Sequence, residues 1–260
     1  MLAYRSGIFP MADSRDDPEV FWVEPRQRAI LPLDGLHVSH SLARTLRRGR
    51  FTVTCNAAFS HVMDACAAPR PPRPDAGEDD EGGSWISHRI QASYERLHQL
   101  GLAHSIECWR QGEDGSPPEL VGGLYGVGFD RVFCGESMFS RTRDASKVAL
   151  CWLVAALRRG HASLLDCQFM TDHLASLGAV EMTQQEYVRL LKAAQSAEDH
   201  SAAASWSATA GGVAVGAGSD GEAGVLALPD AFAALLEDAS EAGLSASPGK
   251  FIAHVLTQTS

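Results

Sequence analysis

Between Leu120 and Gln168 the apolar residues change their spacing from one stretch to the next, and each change marks an element. Leu120 to Val127 and Val132 to Cys134 are short apolar, β-branched or aromatic runs. Gly128, Asp130 and Arg131 separate them, which is the pattern of a hairpin with a compact turn. Gly135, Glu136 and Ser137 follow as a loop that carries a carboxylate. Val148, Leu150, Cys151, Val154, Ala155 and Leu157 then recur at spacings of three and four, which predicts an amphipathic helix over Ala145 to Arg158, ended by Gly160. Leu164 to Phe169 reads as a buried strand, on which Asp166 and Gln168 share one face because strand side chains alternate. Burying either of them unpaired costs roughly 1–3 kcal/mol. Either Asp166 caps a neighbouring loop and Gln168 ties two strands together, or the pair belongs to a site.

Upstream, Met1 to Ser6 resembles the end of a helix closed by Gly7. Glu19 to Leu31 and Phe51 to Cys55 read as strands, and Ser41 to Arg48 and Ala57 to Cys66 as helices, which makes residues 1–68 a small α+β domain. Residues 69–83 lie in a Pro-rich and then acidic stretch without periodicity, an exposed insert. Ser87 can cap a helix from Arg89 to Leu100, whose Ile90, Tyr94 and Leu97 form an apolar stripe. A strand from His104 to Trp109 precedes the hairpin, and a helix from Gln184 to Ala194 closes a domain over 84–195. Residues 196–260 are rich in Ala, Gly and Ser and read as a tail with one or two weak helices, Pro229 to Glu241 being one.

Composition narrows the class. A hydrophobic share of 45% over 260 residues suffices for a real core, and no apolar run approaches the length of a membrane span or a signal core, so a cytoplasmic protein with no membrane partner is expected. The six cysteines are scattered without a C-x-x-C pair and are expected as free core thiols. The ten histidines show neither HExxH nor a Cys/His cluster, so no metal is expected. The net charge of −10 argues against RNA until it is divided along the chain. Residues 74–83 carry five carboxylates and no base, and residues 196–260 carry eight against Lys250 alone, which leaves the remainder slightly basic. Within it Arg44, Arg47, Arg48 and Arg50 form one basic cluster, and Arg141, Arg143 and Lys147 a second beside Glu136. Such clusters suit phosphates, although each could also be an ordinary solvated helix face.

Ten blocks, in order, resemble the leucyl/phenylalanyl-tRNA–protein transferases over about residues 1–192: GIFPM, HVSHSL, GGSWIS, Tyr94 with RLHQLG, AHSIECW, LVGGLYGV, FCGESMFSR, ASKVAL, LLDCQF and TDHLASLGA. The resemblance implies an α+β protein in which the small N-terminal domain is followed by an acetyltransferase-like (GNAT-like) mixed-sheet domain and a low-complexity C-terminal tail. It implies transfer of Leu or Phe, with Met a further candidate, from aminoacyl-tRNA to the α-amine of proteins that begin with Arg or Lys, creating an N-terminal degradation signal. No DNA partner is implied. Coenzyme A is not expected, because Arg141 to Lys147 lacks the glycine-rich pyrophosphate loop of acyl-CoA enzymes, and no other cofactor is implied.

By the family's motifs, Asp166 and Gln168 would orient and polarise the attacking amine, and Glu136 would bind that amine or a ribose hydroxyl. Gln is a poor base, so positioning suits Gln168 better than proton abstraction. Trp85, Leu124, Phe133, Met138, Leu153 and Leu157 would form the aminoacyl pocket. Leu124, Leu153 and Leu157 replace larger side chains of relatives, which would shift the balance among Leu, Met and Phe. Trp22, Arg44, Arg47, Arg48, Arg50, Arg141 and Lys147 would hold the tRNA, with Val23 standing where relatives have a second tryptophan. The competing reading is a GNAT-like domain without catalysis that binds RNA or protein N-termini.

Overall fold

The computed structural model describes residues 1–69, 84–112, 115–196 and 226–258. The chain opens with α1 (Leu2–Arg5), closed by Gly7 in the left-handed region at φ 83°, then β1 (Phe9–Met11) and β2 (Phe21–Val23), which pair as a small separate sheet. There follow β3 (Gln27–Ile30), α2 (His40–Arg47), β4 (Thr52–Cys55), α3 (Phe59–Ala67), α4 (His88–Gln99), β5 (Ala103–Arg110), β6 (Glu119–Phe129) and β7 (Val132–Ser140). The chain continues through α5 (Ala145–Arg159), β8 (Leu164–Gln168), α6 (Asp172–Ala175), β9 (Val180–Thr183), α7 (Gln184–Gln195), α8 (Leu228–Glu241) and α9 (Pro248–Thr257). No described helix is long and apolar enough to cross a membrane.

Seven strands form one mixed sheet in the order β4-β5-β6-β7-β8-β3-β9. β7 and β8 are its parallel pair, Val132 to Cys134 running beside Leu164 to Asp166, and α5 makes the crossover that a parallel pair requires. The sheet does not respect a boundary at residue 68: β3 lies between β8 and β9, and β4 forms the opposite edge, so the N-terminal portion supplies two of the seven strands. Glu19 to Leu31 is two strands belonging to different sheets, with Glu24 to Arg26 between them.

The hairpin holds one departure that shapes the site. Gly135-Glu136-Ser137 is not a loop but part of β7, which continues to Ser140. Tyr125 pairs with Ser137 and Gly126 with Gly135, so Glu136 is the extra residue of a β-bulge. Gly, Glu and Ser are weak strand formers, which hides the strand from a propensity reading. Gly126 lies opposite the bulge, where a Cβ would run into the Cys134 carbonyl and the Phe133 ring.

Two apolar clusters lie on the two faces of the sheet. On one, Leu124, Phe133, Trp152, Leu153 and Leu157 pack with Phe232, Leu235, Ile252 and Leu256 of α8 and α9. On the other, Tyr4, Phe9, Met63, Ile90, Tyr94, Tyr125, Phe129 and Tyr187 gather from α1, β1, α3, α4, β6 and α7. Ser87 caps α4 through the Ile90 amide as expected, and Thr183 with Glu186 forms a capping box on α7.

The final helices correct the view of residues 196–260 as a tail. α8 covers the side of α5 turned away from the sheet, with Trp152 tilted against Phe232 at 5.3 Å between ring centroids. That cover explains why α5 is buried nearly all round rather than on one stripe. Leu228, Phe232, Leu235 and Ala239 repeat at helical spacing, but the surrounding Ala and Gly dilute the signal. Residues 197–225, like most of the acidic insert at 70–83, lie outside the described residues.

Candidate active site

Asp166 sits on β8 in the middle of the sheet and is fully buried. Arg28 of β3 pairs with it through two atoms, Nε to Oδ1 at 2.9 Å and Nη2 to Oδ2 at 2.5 Å. The guanidinium also donates to the Gly7 carbonyl at 3.0 Å and lies between the Phe9 ring at 4.8 Å and the Tyr187 ring at 4.4 Å. Burial works against the charge of Arg28, but its hydrogen bonds and Coulomb attraction to Asp166 more than offset that and raise its pKa. The Tyr187 hydroxyl donates to Asp166 Oδ2 at 2.9 Å, and the Gln168 backbone N–H donates to Oδ1 at 2.9 Å. Both carboxylate oxygens are therefore committed to protein donors.

Asp166 acts on its neighbour rather than outward. Gln168 is in the left-handed region at φ 62°, an uncommon place for a side chain with a Cβ, and its amide is tied to Asp166 there. Alternation alone does not describe this pair: the strand ends at Gln168, and the ladder to β3 shifts register between Ala29 and Ile30. The Gln168 Nε2 is buried with no hydrogen bond of good geometry.

Glu136 emerges from the bulge onto the same side. Its Oε1 accepts from the Tyr4 hydroxyl and its Oε2 from the Tyr94 hydroxyl, each at 2.8 Å, and the two phenol oxygens are 2.5 Å apart. Burial pushes the Glu136 carboxyl up from 4.5 to about 7, although hydrogen-bonding contact with Gln168, Tyr94 and Tyr4 works in the other direction. The Gln168 contribution is one of proximity, since its Nε2 remains without a well-formed bond. Tyr125 lies edge-on to Tyr94 at 5.3 Å, and its hydroxyl is buried and unpartnered. Burial, and then the charge of Glu136, raise all three tyrosines well above their ordinary value.

The fold thus brings Asp166, Gln168 and Glu136 together, and adds Arg28, Tyr187, Tyr4, Tyr94 and Tyr125, which the pattern of the chain does not single out. Tyr94 reads as one member of an apolar stripe, and Arg28 as one arginine in a short strand; only the tertiary pairing marks them.

The other expected residues are scattered more widely. Leu124, Phe133, Leu153 and Leu157 are packed in the core on the α5 face, with Met138 half-buried at its margin. Trp85 packs against the cluster on the other face. A cleft of about 610 Å³ is lined by none of these; Tyr4, Pro10, Trp22, Ile90 and Tyr94 are among its walls, and Arg89 and Arg96 also line it. Trp22 is 60% exposed and sits on the opposite side of the β1-β2 ribbon from Phe9, with which Val23 is paired.

The basic clusters partly merge. Arg44, Arg48 and Arg50 meet Arg143 in a smaller cleft of about 170 Å³ that also contains Ser41, Thr45 and Asp144. Arg47 is exposed on α2, while Arg141 lies over the Phe139 ring at 5.5 Å and donates to the Leu120 carbonyl at 3.2 Å. Lys147 is half-buried on the first turn of α5, near His173, whose pKa is lowered by burial and then by that charge.

Comparison with known proteins adds the reaction class. The family described as leucyl/phenylalanyl-tRNA protein transferase matches residues 30–192, and its N-terminal domain matches residues 1–26. A leucyl/phenylalanyl-tRNA–protein transferase of Novosphingobium aromaticivorans is 61% identical over 266 aligned positions, covering 100% of this chain and 95% of the relative. The protein of that name from Zymomonas mobilis is 55% identical over 75% of this chain and 68% of its own length, and that from Rhodospirillum rubrum 52% over 71% and 80%. All of the residues just placed around Asp166 and Glu136 except Arg28 fall within the two matched segments, and the chain belongs to the leucyl/phenylalanyl-tRNA protein transferase family.

Proposed function

We propose that this chain moves Leu or Phe, with Met a further candidate, from aminoacyl-tRNA to the α-amine of proteins that begin with Arg or Lys. The product is a new N-terminal peptide bond that marks the acceptor for degradation, and the setting is the cytoplasm. The observation that carries the reading is the convergence of two buried carboxylates from the matched segments on two unsatisfied polar atoms, Gln168 Nε2 and Tyr125 Oη. Unpaired buried donors cost stability, and a polar substrate group would relieve that cost.

In this reading Asp166 is a positioning residue, because its oxygens are taken up by Arg28, Tyr187 and the Gln168 amide. It fixes the strained backbone from which Gln168 presents its side-chain amide to the reacting ester and amine. An Nε2–H donor suits the oxygen that becomes negative as the amine adds to the carbonyl carbon. Glu136 faces the amine or the neighbouring ribose. The apolar cluster of Leu124, Phe133, Leu153 and Leu157, with Met138 at its margin, receives the aminoacyl side chain, whereas Trp85 packs on the other face of the sheet and would act outside that cluster. Arg44, Arg48 and Arg50, joined by Arg143, take acceptor-stem phosphates; Arg47, Arg141, Lys147 and Trp22 lie outside that cleft and would make separate contacts.

The direct test is transfer of labelled Phe or Leu from charged tRNA to a peptide beginning with Arg. Formation of the extended peptide is the expected outcome, and binding of both substrates with no transfer would favour the competing reading of a binding module. Arg44→Ala with Arg48→Ala should weaken tRNA binding and flatten its log-log salt dependence by up to about one unit per lost phosphate contact. Unchanged slopes would return that cluster to an ordinary solvated face.

A further inference from the structure

Four oxygens, the Tyr4 and Tyr94 hydroxyls and both carboxyl oxygens of Glu136, form a ring closed through the carboxyl group, with contacts of 2.8 Å from Tyr4 to Oε1, 2.8 Å from Tyr94 to Oε2 and 2.5 Å between the phenols. Its protons can be counted. With Glu136 ionised, two phenol protons serve three contacts; if both point to the carboxylate, the phenol oxygens face each other at 2.5 Å with no proton between them. With Glu136 protonated, three protons serve three contacts. The acid donates to Tyr4, Tyr4 to Tyr94, and Tyr94 back to the carboxyl, so every edge carries a hydrogen bond. The ring gains a bond when it takes up one proton. All three residues are buried, Glu136 at 8% exposure being the most open.

We propose that Tyr4, Tyr94 and Glu136 act as one proton-exchanging unit, which accepts the proton of the attacking α-amine and returns it to the departing ribose oxygen. This rests on the transferase reading above. The neutral amine adds to the aminoacyl carbonyl carbon, a C–N bond forms, and the carbonyl electron pair moves to oxygen. One amine proton passes to Glu136, and the ring closes. As the intermediate collapses, the C–O ester bond breaks with its electron pair on the ribose oxygen, which takes the proton back from Glu136. The carboxylate is restored, so no other acid, base or co-reactant is consumed. Gln168 cannot fill this role, because a side-chain amide does not titrate in the useful range.

The surroundings favour a neutral, exchangeable carboxyl over a fixed anion. Tyr4 of α1, Tyr94 of α4 and Tyr125 of β6 face Glu136, with Cys134 on its own strand and Asp166 and Gln168 on β8. Among the described residues no cation bonds it: Arg28 of β3 is committed to Asp166, and Arg15 bonds the Ile86 carbonyl and Gln91. Asp166 adds repulsion, which together with burial accounts for a carboxyl titrating near 7.

Single-turnover transfer measured from about pH 6 to pH 9 tests the unit. The wild-type rate should rise through an ionisation near neutrality in addition to that of the acceptor amine. Glu136→Gln should lose that limb and fall about 100-fold or more across the range. Tyr4→Phe and Tyr94→Phe each open the ring, so the limb should move along the pH axis; a displacement of about one unit makes the rate relative to wild type change roughly tenfold between about pH 6.5 and pH 9. A deficit of the same size at every pH would show a merely structural role and overturn the proposal, as would a Glu136→Gln protein that keeps the wild-type profile. Infrared difference spectra of wild type against Glu136→Gln supply a readout that needs no tyrosine variant. A protonated-carboxyl band that titrates near neutrality is expected, and its absence at about pH 6 would also overturn the unit. Failure of wild-type transfer altogether would instead overturn the transferase reading.

Discussion

The two faces of the large sheet are built on opposite principles. On the α5 face the core is almost wholly apolar, and α2 and α9 close it together with α8. On the other face the same sheet carries Arg28, Asp166, Glu136 and Gln168 among tyrosines, all buried. Apolar burial stabilises wherever it occurs, whereas buried charge does so only if every partner is in place. The first face therefore supports the fold and the second stores chemistry at some cost in stability. Within the second face the two carboxylates differ again, since Asp166 has a guanidinium and Glu136 has only hydroxyls. Glu107, a third buried carboxylate, shows that burial alone does not make a site: it is taken up by Thr54, Ser105 and the amides at the start of α3.

Breaking the polar face at the fully buried pair of Arg28 and Asp166 should have the largest effect. Arg28→Ala leaves Asp166 buried without its counterion and should cost about 3–5 kcal/mol in denaturant unfolding. Adding Asp166→Asn to Arg28→Met should recover much of that loss, because both charges are then gone. On the apolar face, Phe232→Ala should cost about 3 kcal/mol by opening a cavity against Trp152. A cost below about 0.5 kcal/mol would mean that α8 does not support the core. That outcome would also mean that residues 200–260 can be deleted without harm, which the packing of Leu228, Phe232, Leu235, Ile252 and Leu256 argues against.

Glu136 should give a smaller effect that depends on pH. Its carboxyl rises from 4.5 to about 7 on folding, so the folded state binds the proton more tightly than the unfolded chain does. The associated stability is fully present below about pH 4.5 and is lost as the pH rises through about 7. The unfolding free energy of wild type relative to Glu136→Gln should therefore fall by about 2–3 kcal/mol from pH 5 to pH 8. A flat difference would show that Glu136 is as well compensated as Asp166. The smallest effect belongs to Tyr125→Phe, which deletes an unpartnered buried hydroxyl and should change stability by less than about 1 kcal/mol, in the stabilising direction if anything.

Legibility differed between the faces for the same reason. The α5 helix, the β6-β7 hairpin and the β8 strand follow from apolar spacing, because burial on one side imposes a period of two or about 3.6. Asp166 and Gln168 stood out as polar residues in an apolar strand. Their partners did not, since Arg28 and Tyr187 lie 138 and 21 residues from Asp166 and carry no local signal. The bulge that aims Glu136 was hidden because register is a property of two strands, not one.

The sequence by itself determined the family, the order of elements from α2 through β8 and the catalytic candidates Asp166, Gln168 and Glu136, because each of these is written in residue types and short-range spacing. Only the tertiary structure decided that Arg28 neutralises Asp166, that two tyrosines close a ring on Glu136 and that the last two helices belong to the core. Those facts depend on which distant residues share a dry interior, where a missing partner costs several kcal/mol and a well-placed one removes that cost.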